Sequence, residues 1–225
     1  MQLTYYGQSC FLVNIGGYKI LFDPFISPNP LASGIDVASI EADYILISHA
    51  HQDHIADAES IAKRTGATIV GIWEVATWFE NKGCKTHPMN IGGKWPFEFG
   101  TVIMTEAIHS SSFPDGSYGG HSAGFVVDND ELTFYYAGDT ALFSDMKLIG
   151  ELHKPHFAFF PIGDNFTMGI KEAIMAARFC GVKKVIGMHF DTFPYIQIDH
   201  EEAIMLASFN EIDLVLPKIG ETITL

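Results

Sequence analysis

The residues best suited to chemistry lie in one short segment, Ser48-His49-Ala50-His51-Gln52-Asp53-His54. An apolar run precedes it and a helical pattern follows. In extended backbone, residues two apart point to the same side. His49, His51 and Asp53 can therefore converge on one point. Where the chain turns helical at Asp53, His54 leaves in a different direction, toward a second point nearby. Four such donors within six residues suit a pair of divalent metal ions. Imidazole and carboxylate suit zinc, manganese or iron, and the absence of cysteine from the segment argues against a purely structural zinc site.

Three other predicted strand ends repeat the theme. Ile103–Ile108 runs into His109-Ser110-Ser111-Ser112, Phe134–Ala137 into Gly138-Asp139-Thr140, and Val185–Met188 into His189-Phe190-Asp191-Thr192. In layered α/β folds, ligands gather beyond the carboxyl ends of strands. Singly, each reads as well as a turn; with the first motif, each metal gains another histidine and one aspartate can bridge both. Asp164 and Asn165 follow the apolar run Phe157–Pro161 and precede a helix, so they belong at the same rim as substrate or ligand contacts, with helix capping by Asn165 or Thr167 as the alternative. His121, in Tyr118-Gly-Gly-His-Ser, competes with His109 for the third-histidine place or lines the pocket. Asp23 ends a strand before Pro24. Ser110 to Ser112 make poor nucleophiles, because nearby histidines are claimed by metal.

These residues need a frame of strands and helices. The pattern predicts strands at Leu3–Tyr6, Cys10–Ile15 and Tyr18–Phe22, with Gly16-Gly17 as a hairpin turn. Tyr44–Ile47 reads as a strand buried on both faces. A helix is expected from Asp53 to Thr65 with Gly66 as its cap, then a strand at Ala67–Gly71 and a helix at Glu74–Lys82. Later strands fall at Val102–Ile108, Ala123–Asp128, Thr133–Tyr136, Phe157–Pro161, Lys184–Met188, Leu214–Leu216 and Ile219–Thr224. Helices fall at Ile170–Phe179 and at His200–Phe209, the latter capped by Asp199 with Glu202 at capping-box spacing. The class is α/β, with sheets covered by helices and not a bundle. His87, His153, His156 and His200 read as surface or cap residues, and Trp73, Trp78 and Phe79 as packing or a subunit contact.

Composition sets outer bounds. At roughly 150 residues per domain, 225 residues make one or two domains. With no linker, charge block or composition break, the reading is a single domain over 1–225. Hydrophobic residues are 48% and charged residues 18%, so the chain can bury a large core. The net charge of −14, with arginine only at Arg64 and Arg178, disfavours nucleic acid and anionic membrane surfaces as partners. No apolar run is long enough to span a bilayer, and the N-terminal segment does not read as a signal peptide. Cys10, Cys84 and Cys180 are too few and too scattered for a disulfide framework, which fits a reducing cytoplasm.

The order HAHQDH, HSSS, YAGDT and MHFDTFP resembles the metallo-β-lactamase superfamily. Within it, FFPIGDNFTMG and DMKLIGE resemble the metal-dependent hydrolases related to L-ascorbate-6-phosphate lactonase. The resemblance runs from Tyr5-Gly-Gln-Ser to about Pro194. It implies a four-layer αββα sandwich, two mixed sheets flanked by helices, with the site at one rim. It also implies two divalent ions, zinc first and manganese or iron next. One would take His49, His51 and His109; the other would take Asp53, His54 and His189; Asp139 would bridge them. Asp53 and Asp139 would be the catalytic carboxylates, Asp23 a support for the ligand histidines, and His121, Asp164 and Asn165 neighbours of the substrate. A hydroxide held between the ions would cleave an ester, lactone or phosphodiester of a small molecule. His51 stands where flavodiiron oxidoreductases carry glutamate, and HSSS stands where glyoxalase II-like hydrolases carry a GHTPG-type loop. The alternatives are a metal-binding scaffold without turnover and a metal-dependent nuclease. Relatives commonly assemble, so a homo-oligomer is compatible with the chain.

Overall fold

The computed structural model describes all 225 residues. The strands in chain order are β1 (Gln2–Gly7), β2 (Cys10–Ile15), β3 (Tyr18–Phe22), β4 (Tyr44–Leu46), β5 (Thr68–Ile72), β6 (Lys85–Met89) and β7 (Lys94–Phe97). They continue with β8 (Gly100–Glu106), β9 (Ala123–Asn129), β10 (Leu132–Tyr136), β11 (Phe157–Pro161), β12 (Lys184–Met188), β13 (Asp213–Val215) and β14 (Thr222–Thr224). The helices are α1 (Gln52–Ile55), α2 (Ala58–Thr65), α3 (Trp73–Glu80), α4 (Met146–His153), α5 (Ile170–Cys180) and α6 (His200–Phe209). They form two compact units, the first of Met1–Ile91, Ser110–Ser122 and Pro217–Leu225, the second of Gly92–His109 and Ala123–Leu216.

The first unit holds a seven-stranded mixed sheet in the order β14-β1-β2-β3-β4-β5-β6. Gly16 and Gly17 take φ of 59° and 82°, as the hairpin between β2 and β3 requires, and Ile15 pairs with Tyr18. Ile45, Leu46 and Ile47 have no exposed surface, so this short strand is buried on both faces as its unbroken apolar run predicts.

The single helix expected over 53–65 is instead two, α1 and α2. Asp57 breaks it. Its buried carboxylate accepts the Ile26 and Ser27 amides at 2.7 and 2.9 Å and the Ser27 hydroxyl at 2.5 Å. Its own amide donates to Pro24 at 3.0 Å. The acid thus anchors the loop after β3 in place of continuing the helix.

The second unit carries the order β13-β12-β11-β10-β9-β8-β7. Helices α4, α5 and α6 cover it through a buried cluster that includes Tyr135, Phe160, Met168, Ala176 and Ala207. Asp199 caps α6 by accepting the Glu202 amide at 2.9 Å, as its spacing predicts. The two sheets share one plan. Each has three antiparallel pairings followed by three parallel ones, with β3 and β10 as the strands where the direction changes.

Three elements are absent from the sequence reading. Strands β6 and β7 each contain a proline, Pro88 and Pro96, and each is an edge strand, where a missing amide donor is tolerated. Helix α4 has Gly150 at its centre; a Cβ there would lie 2.7 Å from the Cys180 carbonyl, so the glycine marks close packing on α5. At the C-terminus, the strand expected over 219–224 shortens to β14, because Gly220 turns at φ 84°. No helix is long and apolar enough to cross a membrane.

Candidate metal centre

In the first unit, the segment after β4 brings its donors together. His49 Nε2 lies 2.9 Å from His51 Nδ1. The His49 and His54 rings are 4.1 Å apart between centroids. His54 Nε2 lies 3.5 Å from Asp53 Oδ2. His49 and His54 are fully buried, while the Asp53 side chain keeps 23% of its surface open. Alternation in the extended stretch brings His49 and His51 together, as the spacing predicts, but Asp53 groups with His54 and not with them, because both already lie in the helical turn of α1.

Asp23 supports the group from beneath. It follows β3 in a left-handed conformation, φ 41°, and is fully buried. Its Oδ1 accepts the Ser48 amide at 2.7 Å and its Oδ2 accepts the Ser48 hydroxyl at 2.6 Å. The same Oδ2 lies 2.9 Å from His54 Nδ1. A carboxylate is an acceptor, so His54 donates from Nδ1 and turns the lone pair of Nε2 toward Asp53. Gln8, which the sequence reading did not single out, donates from Nε2 to Asp53 Oδ2 at 2.9 Å. Its signal was positional: Gly7-Gln8-Ser9 follows a strand end, as the other site residues do.

Ser111 closes one side. Its Oγ accepts the Ala50 amide at 3.2 Å and donates to the Gly119 carbonyl at 3.1 Å. A Cβ on Gly119 would stand 2.4 Å from that of Ala50, so the loop lies directly against the histidine segment. The serine thus acts as a tether between the two loops. Near this loop Trp78 stacks on Phe113 at 4.1 Å, Phe79 is buried, and Trp73 is exposed. Packing thus holds for Trp78 and Phe79 but not for Trp73. His121 is exposed in the same loop.

In the second unit, Asp139 lies between two histidines. Its Oδ2 is 2.9 Å from His189 Nε2 and 3.7 Å from His109 Nε2. Asp139 and His189 are each 2% exposed. Thr140 Oγ1 accepts the Ile108 amide at 3.0 Å, which ties the chain before His109 to the chain after Asp139. His189 follows β12 at φ 56°. A Cβ on Gly163 would meet the His189 carbonyl at 2.1 Å, so only glycine lets the two loops approach this closely. Asp164 and Asn165 are exposed, with φ of 60° and 55°. Neither Asn165 nor Thr167 caps α5, whose cap is Gly169; Asp164 Oδ1 instead accepts the Asn165 amide at 2.7 Å. That corrects their capping alternative. His200 pairs with Asp191 at 2.6 Å on the surface.

Imidazoles and carboxylates without thiolate form a donor set that fits zinc, manganese or iron. Two seven-stranded mixed sheets flanked by helices, with such residues at their strand ends, define a metal-dependent hydrolase of the metallo-β-lactamase fold. The family model described as a β-lactamase superfamily domain matches residues 18–190, and the chain belongs to that superfamily. A UPF0173 metal-dependent hydrolase of Christiangramia forsetii is 54% identical over the whole of both chains. Igni18, a metallo hydrolase of the hyperthermophilic archaeon Ignicoccus hospitalis, superposes with a TM-score of 0.89 at 36% identity, covering 99% of this chain and 97% of its own. An isothiocyanate hydrolase from Delia radicum gut bacteria shares the fold alone, with a TM-score of 0.81 at 18% identity over 100% and 99% of the two chains.

Proposed function

We propose that this metal-dependent hydrolase is binuclear and acts on an ester, lactone or phosphodiester of a small molecule. In this reading one ion takes His49, His51 and His109, the other takes Asp53, His54 and His189, and Asp139 serves both. The observation that carries the reading is the crowding of donors inside each unit. His49 Nε2 and His51 Nδ1 face each other at 2.9 Å, and one oxygen of Asp139 faces two imidazole nitrogens at 2.9 and 3.7 Å. Ring nitrogens and carboxylates brought so close with their lone pairs converging are well matched to shared cations.

Divalent ions held there supply a water that ionises near neutral pH and a Lewis acid for the substrate's carbonyl or phosphoryl oxygen. The chain's own groups do the rest. Asp53, whose side chain is 23% open, accepts a hydrogen bond from the attacking water and orients it. Asp23 fixes the tautomer of His54 through Nδ1. Asp164, Asn165 and His121, all exposed, are the candidates for substrate contact. We take the two units to work as one domain, in the cytoplasm, where Cys10, Cys84 and Cys180 stay as free thiols.

The test is elemental analysis of protein purified without chelator or affinity-tag nickel, followed by a panel of lactones, aryl esters and phosphodiesters. About two equivalents of metal per chain and turnover that a chelator removes are expected. No metal, even after reconstitution, would overturn the proposal. Full occupancy with no turnover across the panel would leave a metal-binding scaffold in its place.

A further inference from the structure

We infer that Gln8 is a positioning residue for the metal centre: its side-chain amide holds the Asp53 carboxylate in the orientation that faces His54. The inference rests on the binuclear reading above.

Gln8 sits at the end of β1, far from Asp53 in sequence, and its side chain reaches that carboxylate with Nε2 to Oδ2 at 2.9 Å. The oxygen it holds is the one 3.5 Å from His54 Nε2. A carboxylate oxygen accepts two hydrogen bonds or ligands in its plane. With one position occupied by Gln8, the other is turned toward the imidazole nitrogen that Asp23 orients.

Three features make a purely structural role for Gln8 a poor explanation. It has no exposed surface, although it is polar. Its backbone is left-handed, φ 54°, a region that residues with a side chain seldom occupy. Its Oε1 is buried without a hydrogen-bond partner, and its only side-chain hydrogen bond is the one to Asp53. A fold selected for stability alone would place glycine or asparagine at such a backbone and an apolar group in such a space. Unfavourable features of this kind persist where the surroundings hold a residue in place for function. Tyr5 adds to that hold, donating from its hydroxyl to the Gln8 carbonyl at 3.1 Å. The choice of an amide also has a chemical reason. It fixes the carboxylate with a neutral donor, whereas a lysine there would compete with a cation for the same charge.

The test is zinc titration of the chelator-stripped chain against a chromophoric zinc indicator, with thermal unfolding of the metal-free protein alongside. The variants are Gln8→Gly, which suits the left-handed backbone and removes the donor, and Gln8→Met, which keeps the length and removes the donor. The expected result is one zinc affinity near the wild-type value and one weakened about 10- to 100-fold in both variants. Metal-free Gln8→Gly is expected to unfold no earlier than wild type. Affinities within twofold of wild type in the folded variants would overturn this inference and leave the binuclear reading intact. Failure of both variants to fold would assign Gln8 to the fold and overturn it equally. Failure of wild type to bind zinc would overturn both.

Discussion

Asp23 and His54, both fully buried, meet at 2.9 Å between Oδ2 and Nδ1. The pair joins the end of one strand to the helical turn after its neighbour. It also decides which imidazole nitrogen carries the proton, because the carboxylate can only accept. Asp23→Ala removes that acceptor and leaves the Ser48 amide and hydroxyl without their partner. Metal retained after dialysis should fall about 10- to 100-fold in affinity. Stability should drop by several kcal/mol, since each buried donor left unmet costs roughly 1–3 kcal/mol. Metal analysis and denaturant unfolding read the two effects separately; unchanged metal retention would dissociate Asp23 from the centre.

Asp139→Ala and His51→Ala should abolish hydrolysis while leaving the folded structure. Both remove a donor without disturbing a strand, as Asp139 follows β10 and His51 precedes α1. Circular dichroism and turnover on the best substrate of the panel check the prediction. Wild-type turnover in either variant would remove that residue from the site.

Gly163→Ala tests the loop that seats His189. A Cβ would stand 2.1 Å from the His189 carbonyl, so backbone must move. The expected outcome is weakened retention of one metal and a loss of stability typical of overpacking, about 1–3 kcal/mol. The substitution touches no donor atom, so a wild-type metal profile would show that His189 tolerates displacement.

The sequence made the donors legible and left their supports hidden, for a physical reason. His49, His51, Asp53 and His54 sit within one local segment; backbone periodicity predicts the meeting of His49 with His51, while the pairing of Asp53 with His54 depends on where α1 starts. Gln8 and Asp53 meet only after the three strands between them, β2, β3 and β4, have been placed. Elements failed in the same way. Proline made β6 and β7 look unlike strands, and only their edge position removes the objection. Glycine masked α4 until its contact with α5 was visible. The break between α1 and α2 needed the knowledge that Asp57 turns away to hold Ile26 and Ser27.

The three thiols should be slow to react in the native protein. Burial raises Cys10 well above the ordinary thiol range, raises Cys84, and pushes Cys180 up to about 12. Burial disfavours the thiolate, which is the reactive form. Less than one thiol per chain should therefore react with a disulfide reagent within minutes at pH 8. All three should react after unfolding. Rapid native labelling of more than one would contradict the packing around them.

The shared pairing plan of the two sheets bears on the origin of the site. Asp23 lies just past β3 and Asp139 just past β10, the strand in each sheet where pairing turns from antiparallel to parallel. The histidine segment follows β4, next to β3, and the Asp164-Asn165 turn follows β11, next to β10. Matching addresses in two sheets are what an ancestral duplication would leave. The two addresses carry different chemistry: imidazoles and a carboxylate after β4, and Asp164 beside Asn165 after β11.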